Sequence, residues 1–295
     1  MEKPAFIVDV PLSEVDVTRW RNGVSIEATD KVAEEVPIAL IYNGVSHAVM
    51  LATPQDLEDF ALGFSLSEGI LQSKSELYDV EIITQAQGIE LRLEVASEAF
   101  AMLKERRRNL TGRTGCGLCG AESLEQALRL PVLDHSTLEK SILEKNAALP
   151  GNTHETSSAS RGRISAISIQ AAFKTIQNKQ ALQQATGATH ACAWVNINGE
   201  IELLREDVGR HNAMDKLIGA LSKLKKQQAG FVLTSSRASV EMVQKVALAG
   251  YDLLAAISAP TGLAIRIAEA YDVTLVGFLR EQQFVIYTHP QRIQN

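Results

Sequence analysis

Hydrophobic and polar positions alternate in two different registers along this chain. Between Val36 and Thr53 two apolar runs, VPIALIY and SHAVMLAT, flank Asn43-Gly44. That dipeptide supplies the positive-φ residues of a two-residue hairpin turn, so the spacing predicts two antiparallel strands. The period then lengthens. Leu57, Phe60, Ala61 and Phe64 recur at helical spacing, which predicts a helix opened by Thr53-Pro54 and stopped near Gly69. Strand-like runs follow at Val80–Thr84 and Ile89–Val95, then a basic helical stretch with Lys104, Arg106, Arg107 and Arg108.

The second half is patterned more regularly. Ile164–Gln177 and Gln180–Ala185 read as a helical stretch ending at Gly187, and Ala191–Ile197 with Glu200–Leu204 reads as a hairpin about Asn198-Gly199. A helix carrying Met214, Leu217, Ile218 and Leu221 on one face comes next. The chain then alternates: strand Phe231–Thr234, helix Ala238–Ala249, strand Leu253–Ser258, helix Pro260–Ala270, strand Val273–Leu279. Strands separated by helices of this length form βαβαβ units, a parallel sheet with right-handed crossovers. Phe284–Thr288 is a last strand suited to antiparallel pairing. The expected architecture is therefore α/β: a C-terminal α/β half with a mostly parallel sheet and a smaller α+β N-terminal portion. The segment 147–162, AALPGNTHETSSASRG, is small and polar and almost free of apolar residues. It reads as a linker or mobile loop between residues 1–146 and 163–295.

Composition narrows the class. The chain has 295 residues, 45% hydrophobic and 22% charged, enough for one large or two ordinary domains. A net charge of −6 does not make the surface a nucleic-acid footprint. No apolar run approaches the ~18 residues of a membrane span. The acidic, alternating N-terminus does not read as a signal peptide. Three cysteines cannot build a disulfide framework, so a cytoplasmic protein is expected, where a CxxC is catalytic or metal-binding.

The CxxC is Cys116-Gly117-Leu118-Cys119-Gly120. The reactive species of such a motif is the thiolate, which nearby cations and helix N-termini favour. The basic run lies just upstream, Arg113 is closer still, and Ala121–Leu130 reads as a short helix with Cys119 near its positive end. Thiol–disulfide exchange, metal binding and sulfur carriage as a persulfide all remain open on this motif. Cys192, in an apolar run, reads as a buried small hydrophobe. Cys116, Cys119, Cys192 and a histidine could complete a zinc site, but the second paired cluster of a strong zinc signature is missing. Two further groups invite chemistry. The three parallel strands end in Thr234-Ser235-Ser236-Arg237, Ser258-Ala259-Pro260-Thr261 and Gly277-Phe278-Leu279-Arg280. Ligands bind outside the carboxyl ends of such strands, and helix N-termini there suit anions. Ser236 and Thr261 could equally be simple N-caps. Arg205-Glu206-Asp207 with Arg210-His211-Asn212 crowds six polar groups into eight residues, as a charge network or as a ligand site.

With these motifs in order, the chain resembles the formate dehydrogenase accessory proteins of the FdhD family. The resemblance rests on EDFALGFSLSEGI at 58–70, CGLCG at 116–120, TGATH at 186–190, REDVGRHNAMDKLIG at 205–219, RASVEMVQK at 237–245, Ser258–Pro260 and TLVGFLR at 274–280. It implies a sulfur carrier that takes a persulfide sulfur from a cysteine desulfurase. The sulfur then passes to the molybdenum of bis(molybdopterin guanine dinucleotide), the cofactor of apo formate dehydrogenase. It implies Cys116 as the persulfide position, with Cys119 sharing or releasing the sulfur. It places the cofactor-binding segment on Phe278, Leu279, Arg280, Glu281, Gln282 and Gln283. The strand-end pattern adds the expectation that Ser236, Ser258 and Arg237 line the same pocket, with Arg237 and Arg280 meeting the phosphates. The resemblance also implies a cytidine-deaminase-like three-layer α/β/α fold, a homodimer and no metal of the protein's own. Alternatives are a cofactor chaperone without sulfur chemistry and a zinc-dependent enzyme of the deaminase type. Deaminase chemistry wants HxE followed by PCxxC, and no HxE occurs here. Ala188 and Ser236 stand where the family usually has glycine.

Overall fold

The computed structural model describes residues 9–111, 163–224 and 229–295. Cys116, Cys119, the expected helix at 121–130 and the polar segment 147–162 lie outside the described residues. Of residues 106–111 only the helical backbone is described.

The chain opens with a hairpin, β1 (Leu12–Arg21) and β2 (Val24–Ala33), paired antiparallel in continuous register from Leu12↔Ala33 to Arg21↔Val24. Its turn is Asn22-Gly23, both at positive φ. The expected hairpin at 36–53 is β3 (Val36–Tyr42) and β4 (Val45–Ala52), joined by Asn43-Gly44, again both at positive φ. These two strands join β5 (Leu77–Gln85) and β6 (Gly88–Val95) in a four-stranded sheet of order β4-β3-β6-β5, with β3 and β6 parallel. One face of it is apolar. Val36, Ile38, Leu40, Tyr42, Ile89, Leu91, Leu93 and Val95 pack on Phe60, Ala61 and Phe64 of helix α1 (Leu57–Ser67) and on Ala99 and Leu103 of α2 (Ser97–Thr111).

Helix α1 departs from expectation. It starts at Leu57 after Asp56 in the left-handed region, not at Thr53-Pro54. Thr53 is unavailable as a cap because all its polar groups reach the other half of the chain. Its N–H donates to Asp207 Oδ2 at 3.0 Å, its Oγ1 accepts from the Val208 N–H at 3.1 Å, and its carbonyl accepts from Lys216 Nζ at 2.9 Å.

The C-terminal half is built on a six-stranded sheet of order β13-β12-β11-β10-β8-β9. Its strands are β8 (His190–Asn196), β9 (Ile201–Asp207), β10 (Gly230–Thr234), β11 (Leu253–Ala256), β12 (Thr274–Arg280) and β13 (Gln283–Ile286). β10, β11 and β12 run parallel, as the alternation predicts; β8, β9 and β13 pair antiparallel. Successive residues face opposite sides. Cys192, Trp194, Val232, Leu254, Ala256 and Leu275 pack under helices α5 (Arg210–Ser222), α6 (Val240–Leu248) and α7 (Gly262–Ala270). Ala193, Val195, Phe231, Leu233, Ala255 and Val276 cover the other face against Ile169, Ala172 and Ile176 of α3 (Ala166–Lys179). The half is thus helix, sheet, helix in section. A short helix α4 (Ala181–Thr186) ends on Gly187 in the left-handed region, and two-residue strands β7 (Ile164–Ser165) and β14 (Ile293–Gln294) pair in parallel beside α3.

The two halves meet where α1 crosses α5, and glycines permit the approach. A Cβ on Gly63 would lie 1.7 Å from the carbonyl oxygen of Asp215, and one on Gly219 would lie 1.9 Å from that of Asp59. Buried ion pairs flank the crossing. Lys216 Nζ meets Asp207 Oδ2 at 2.7 Å with both side chains fully buried. Lys245 Nζ meets Asp215 Oδ1 at 2.8 Å, and Ser67 donates to the same oxygen at 2.6 Å. Leaving either carboxylate without its lysine would strand a buried charge; the two halves themselves are tied by Lys245 to Glu68 at 3.1 Å, Ser67 to Asp215 and Arg205 to Asp59 at 2.7 Å.

Candidate functional site

The carboxyl ends of β10, β11 and β12 form one stitched edge. The Ile257 N–H donates to Thr234 O, Ser258 N–H to Ser236 O at 3.4 Å, and Phe278 N–H to Ser258 O at 3.2 Å. Ala238 and Pro260 form a parallel bridge beyond the strands proper. Thr261 caps α7, its hydroxyl accepting from the Ala264 N–H, as one reading of the sequence expected. Ser236 does not cap α6; Ser239 holds that position. Ser236 is instead buried and bonded to Thr234 Oγ1 at 3.0 Å, so it shapes the turn leaving β10. Both departures from the family's glycines are accommodated. Neither Ala188 nor Ser236 is at positive φ; in the first of these turns Gly187 takes the left-handed position.

The segment Phe278–Gln283 is the end of β12, a two-residue turn and the first residue of β13. Gly277 is needed there: a Cβ would come 2.9 Å from Pro260 Cδ and 3.2 Å from Ser258 O. Phe278 follows in the left-handed region, φ 53°, beside a bulge between Gly277 and Arg280. A bulky residue at positive φ stores strain, and such strain gathers at ligand sites. The bulge turns the Phe278 ring outward, where it is 43% exposed. Glu281, Gln282 and Gln283 are exposed, whereas Leu279 is buried in the lower core. Arg280 donates Nη1 to the carbonyls of Ile257 at 2.8 Å and Leu279 at 2.7 Å, bracing the bulge. Arg237 is exposed at the same edge. The edge therefore assembles Ser236, Arg237, Ser258 and the 278–283 turn, with Leu279 spent on packing and Arg280 partly spent on backbone.

The polar octet after β9 resolves mostly into the charge network. Arg205 pairs with Asp59 at 2.7 Å and Asp56 at 3.5 Å. Glu206 accepts from the N–H groups of Leu182 and Gln183 at the start of α4 and from Thr189 Oγ1. Asp207 accepts from Thr53, Gly209, Asn212 and Lys216. Asn212 also donates to Leu51 O at 2.8 Å.

Arg210 and His211 take no part in this network. His211 Nε2 lies 2.8 Å from Glu241 Oε2 and 3.4 Å from Ser239 Oγ, joining the first turns of α5 and α6. The hydrogen bond with His211 outweighs partial burial and holds the Glu241 carboxyl at about 2. His190, at the start of β8, is pushed down by its half-burial and by the charges of Arg210 and His211, which keeps its imidazole neutral. Composition and spacing did not single out Glu241, because its relation to His211 exists only once α5 and α6 are side by side.

Cys192 is buried as expected. It has no exposed surface, its Sγ lies 3.6 Å from Thr234 Oγ1, and burial pushes its thiol up to about 12. It is a packing residue, inaccessible to a sulfur donor. A separate shallow hollow of about 390 Å³ is lined by Tyr78, Glu81 and Arg92 on the N-terminal sheet and shares no residue with the carboxyl edge.

Comparison identifies the kind of protein to which this mixed α/β fold belongs. A solved chain, described as a candidate formate dehydrogenase accessory protein from Desulfotalea psychrophila, superposes with a TM-score of 0.69. That match covers 96% of this chain and 99% of the other at 22% identity, and shows a common fold. The FdhD/NarQ family profile matches residues 33–294, so this chain belongs to the FdhD/NarQ family. Relatives named Sulfur carrier protein FdhD include one from Cupriavidus necator, 54% identical over 95% of this chain and 89% of its own length. Another, from Variovorax paradoxus, is 49% identical over 97% of this chain and 96% of its own. No helix among the described residues is long and apolar enough to cross a membrane.

Proposed function

We propose that this protein is a sulfur carrier that serves formate dehydrogenase, with Cys116 as the loading site. The observation that carries this reading is the near-full-length kinship with sulfur carrier proteins in a chain with only three cysteines, of which Cys192 is sealed in the core. A transferable sulfur then has only Cys116 and Cys119 to occupy. In the loading step the Cys116 thiolate attacks the terminal sulfur of a desulfurase persulfide. A Cys116 S–S bond forms, the donor's S–S bond breaks, and the donor leaves as thiolate. In the release step the Cys119 thiolate attacks the inner sulfur of the Cys116 persulfide. A Cys116–Cys119 disulfide forms, and the terminal sulfur leaves as hydrosulfide with two electrons from the two thiols. The basic run upstream favours both thiolates.

The receiving substrate is the molybdenum of bis(molybdopterin guanine dinucleotide), whose guanine nucleotide ends sit at the carboxyl edge of the six-stranded sheet. Ser236, Ser258, Arg237 and the 278–283 turn face them there. Support comes from the position of that edge, where open α/β sheets take nucleotides, and from the strained, outward-facing Phe278. On this reading the layered C-terminal half is cytidine-deaminase-like in architecture. The working form is a cytoplasmic homodimer, with a cysteine desulfurase and apo formate dehydrogenase as its partners.

The test is intact-protein mass spectrometry after incubation with a cysteine desulfurase and cysteine. Wild type and Cys119→Ala gain one sulfur atom, and Cys116→Ala does not; equal loading of Cys116→Ala overturns the assignment. Full formate dehydrogenase maturation by a Cys116→Ala/Cys119→Ala variant would favour a chaperone without sulfur chemistry.

A further inference from the structure

The hairpin β1–β2 stands apart from both cores. It is a two-stranded sheet of its own, joined to neither the four-stranded nor the six-stranded sheet, and its chief neighbour is helix α4, packed against β2. A lone two-stranded ribbon is at best marginally stable in water, so one this long calls for further cover. The side chains agree. Val10 at its foot and Val15, Trp20, Val24, Ile26 and Val32 along it are large apolar groups left exposed, Trp20 by 70% and Val24 by 60%. Apolar surface gathered in this way marks an interaction site.

Residues opposite one another in the register share a face, and successive pairs alternate. One face carries Thr18/Glu27 and Glu14/Lys31, which meet across the strands at 3.1 Å and 4.0 Å. The other carries Arg21/Val24, Arg19/Ile26, Val17/Ala28, Val15/Asp30 and Ser13/Val32. That is an aliphatic stripe crossed by one loose ion pair, Arg19–Asp30 at 3.6 Å, with both side chains more than half exposed. Such a pair adds little to the ribbon and can exchange its partner at small cost. Charge also runs along the ribbon. The three pairs nearest the turn hold Arg19 and Arg21 and no acid. The half towards the body holds Glu14, Asp16 and Asp30 against one base, Lys31, and Glu34-Glu35 follows at the foot.

This pattern is self-complementary. Two ribbons laid stripe to stripe and antiparallel, about a two-fold axis at the Val17/Ala28 pair, set Arg19/Ile26 of one copy opposite Val15/Asp30 of the other. Arg21/Val24 then lies opposite Ser13/Val32. Basic tips meet acidic feet, Arg19 of each copy comes within side-chain reach of Asp30 of the other, and the two-fold makes every contact twice. A partner of uniform charge would match one end of the ribbon and repel the other, which favours a second copy of this chain.

We propose that the β1–β2 ribbon is a self-association arm whose aliphatic stripe packs antiparallel on the same stripe of a second copy. The inference rests on the homodimer reading and names its surface. All of the ribbon except Ala33 precedes the residues 33–294 matched by the family profile, so family membership by itself does not assign the arm.

Sedimentation velocity of the full chain over a dilution series tests it, using wild type, Ile26→Ser, Arg19→Asp, Asp30→Arg and an equimolar mixture of the last two. One ribbon face measures about 34 Å by 10 Å, small for an interface, so wild type should sediment as a dimer that dissociates on dilution. Ile26→Ser removes two half-exposed isoleucines per dimer and should raise the dissociation range about 10-fold. Arg19→Asp and Asp30→Arg should each raise it, because each sets like charges opposite one another. The mixture restores opposite charges at every contact between copies and should return to the wild-type range. Within each variant chain positions 19 and 30 still carry like charges, so that recovery reads contact between copies alone. Ile26→Ser keeps both charged groups and reads the stripe even where a charge variant loosens the ribbon. A dimer that Ile26→Ser leaves unchanged overturns the arm while the homodimer reading stands on another surface, and so does a mixture that does not recover. Wild type that stays monomeric at every concentration overturns both.

Discussion

Replacing Gly219 by alanine sets a methyl carbon 1.9 Å from the carbonyl oxygen of Asp59, and replacing Gly63 sets one 1.7 Å from that of Asp215. Even a favourable carbon–oxygen contact needs about 3.3 Å. The helices must therefore part by roughly 1.4 Å at the first site and 1.6 Å at the second. Both obstacles are backbone atoms inside hydrogen-bonded helices, so no side chain can swing aside. Overpacking a core costs about 1–3 kcal/mol, and a forced backbone displacement belongs at the upper end. At about 2–4 °C per kcal/mol for a domain of 150–250 residues, each variant should melt roughly 6–12 °C below wild type. Parting α1 from α5 also stretches the Ser67–Asp215–Lys245 contacts, which lie on the same seam. One separation accommodates both methyl groups, so Gly63→Ala/Gly219→Ala should lose less than the sum of the singles. Thermal unfolding followed by circular dichroism, with urea titration for the free energies, reads all three. Single variants melting within about 1 °C of wild type would refute the close crossing, because overpacking of this size must register in the melting temperature.

Two further outcomes follow from the side chains. In Cys116→Ala/Cys119→Ala protein the one remaining thiol, Cys192, should resist a thiol-specific disulfide reagent at pH 8 while folded and react fully in denaturant, since burial holds it near 12; reaction of the folded protein contradicts that burial. The Glu241 carboxyl, held by His211 at about 2 against its ordinary 4.5, has a depressed folded value. Its contribution to stability is therefore complete above pH 4.5 and lost as pH falls towards 2. The difference in melting temperature between wild type and Glu241→Gln should shrink as pH falls from 5 towards 2, modestly because the Glu241 side chain is 56% exposed. A difference independent of pH would show that the ion pair is not the cause.

Much of the architecture is local in origin and was legible residue by residue. Asn43-Gly44 specifies a turn by its own φ preferences, and the alternation from Phe231 to Leu279 specifies parallel strands through the length of the crossovers. Where reading failed, a distant partner had intervened. Thr53 looks like an N-cap, yet Asp207, Val208 and Lys216 claim its polar groups and the helix starts four residues later at Leu57. Ser236 looks like another, and Thr234 claims its hydroxyl.

The same division holds for chemistry. By itself the sequence determined that the chain has a glycine-flanked CxxC with basic residues beside it, an apolar setting for Cys192, and a polar octet too dense for a simple turn. These are properties of neighbouring residues. Only the tertiary structure decided which members of that octet are free, because Asp59, Thr53, Leu182 and Leu51 satisfy Arg205, Asp207, Glu206 and Asn212 from elsewhere in the chain. It alone put Glu241 against His211, thirty residues apart, and left Arg210 Nε buried without an acceptor among the described residues. Hydrogen-bond and charge satisfaction are counted in space, so a spare donor shows itself only after every other partner has been assigned.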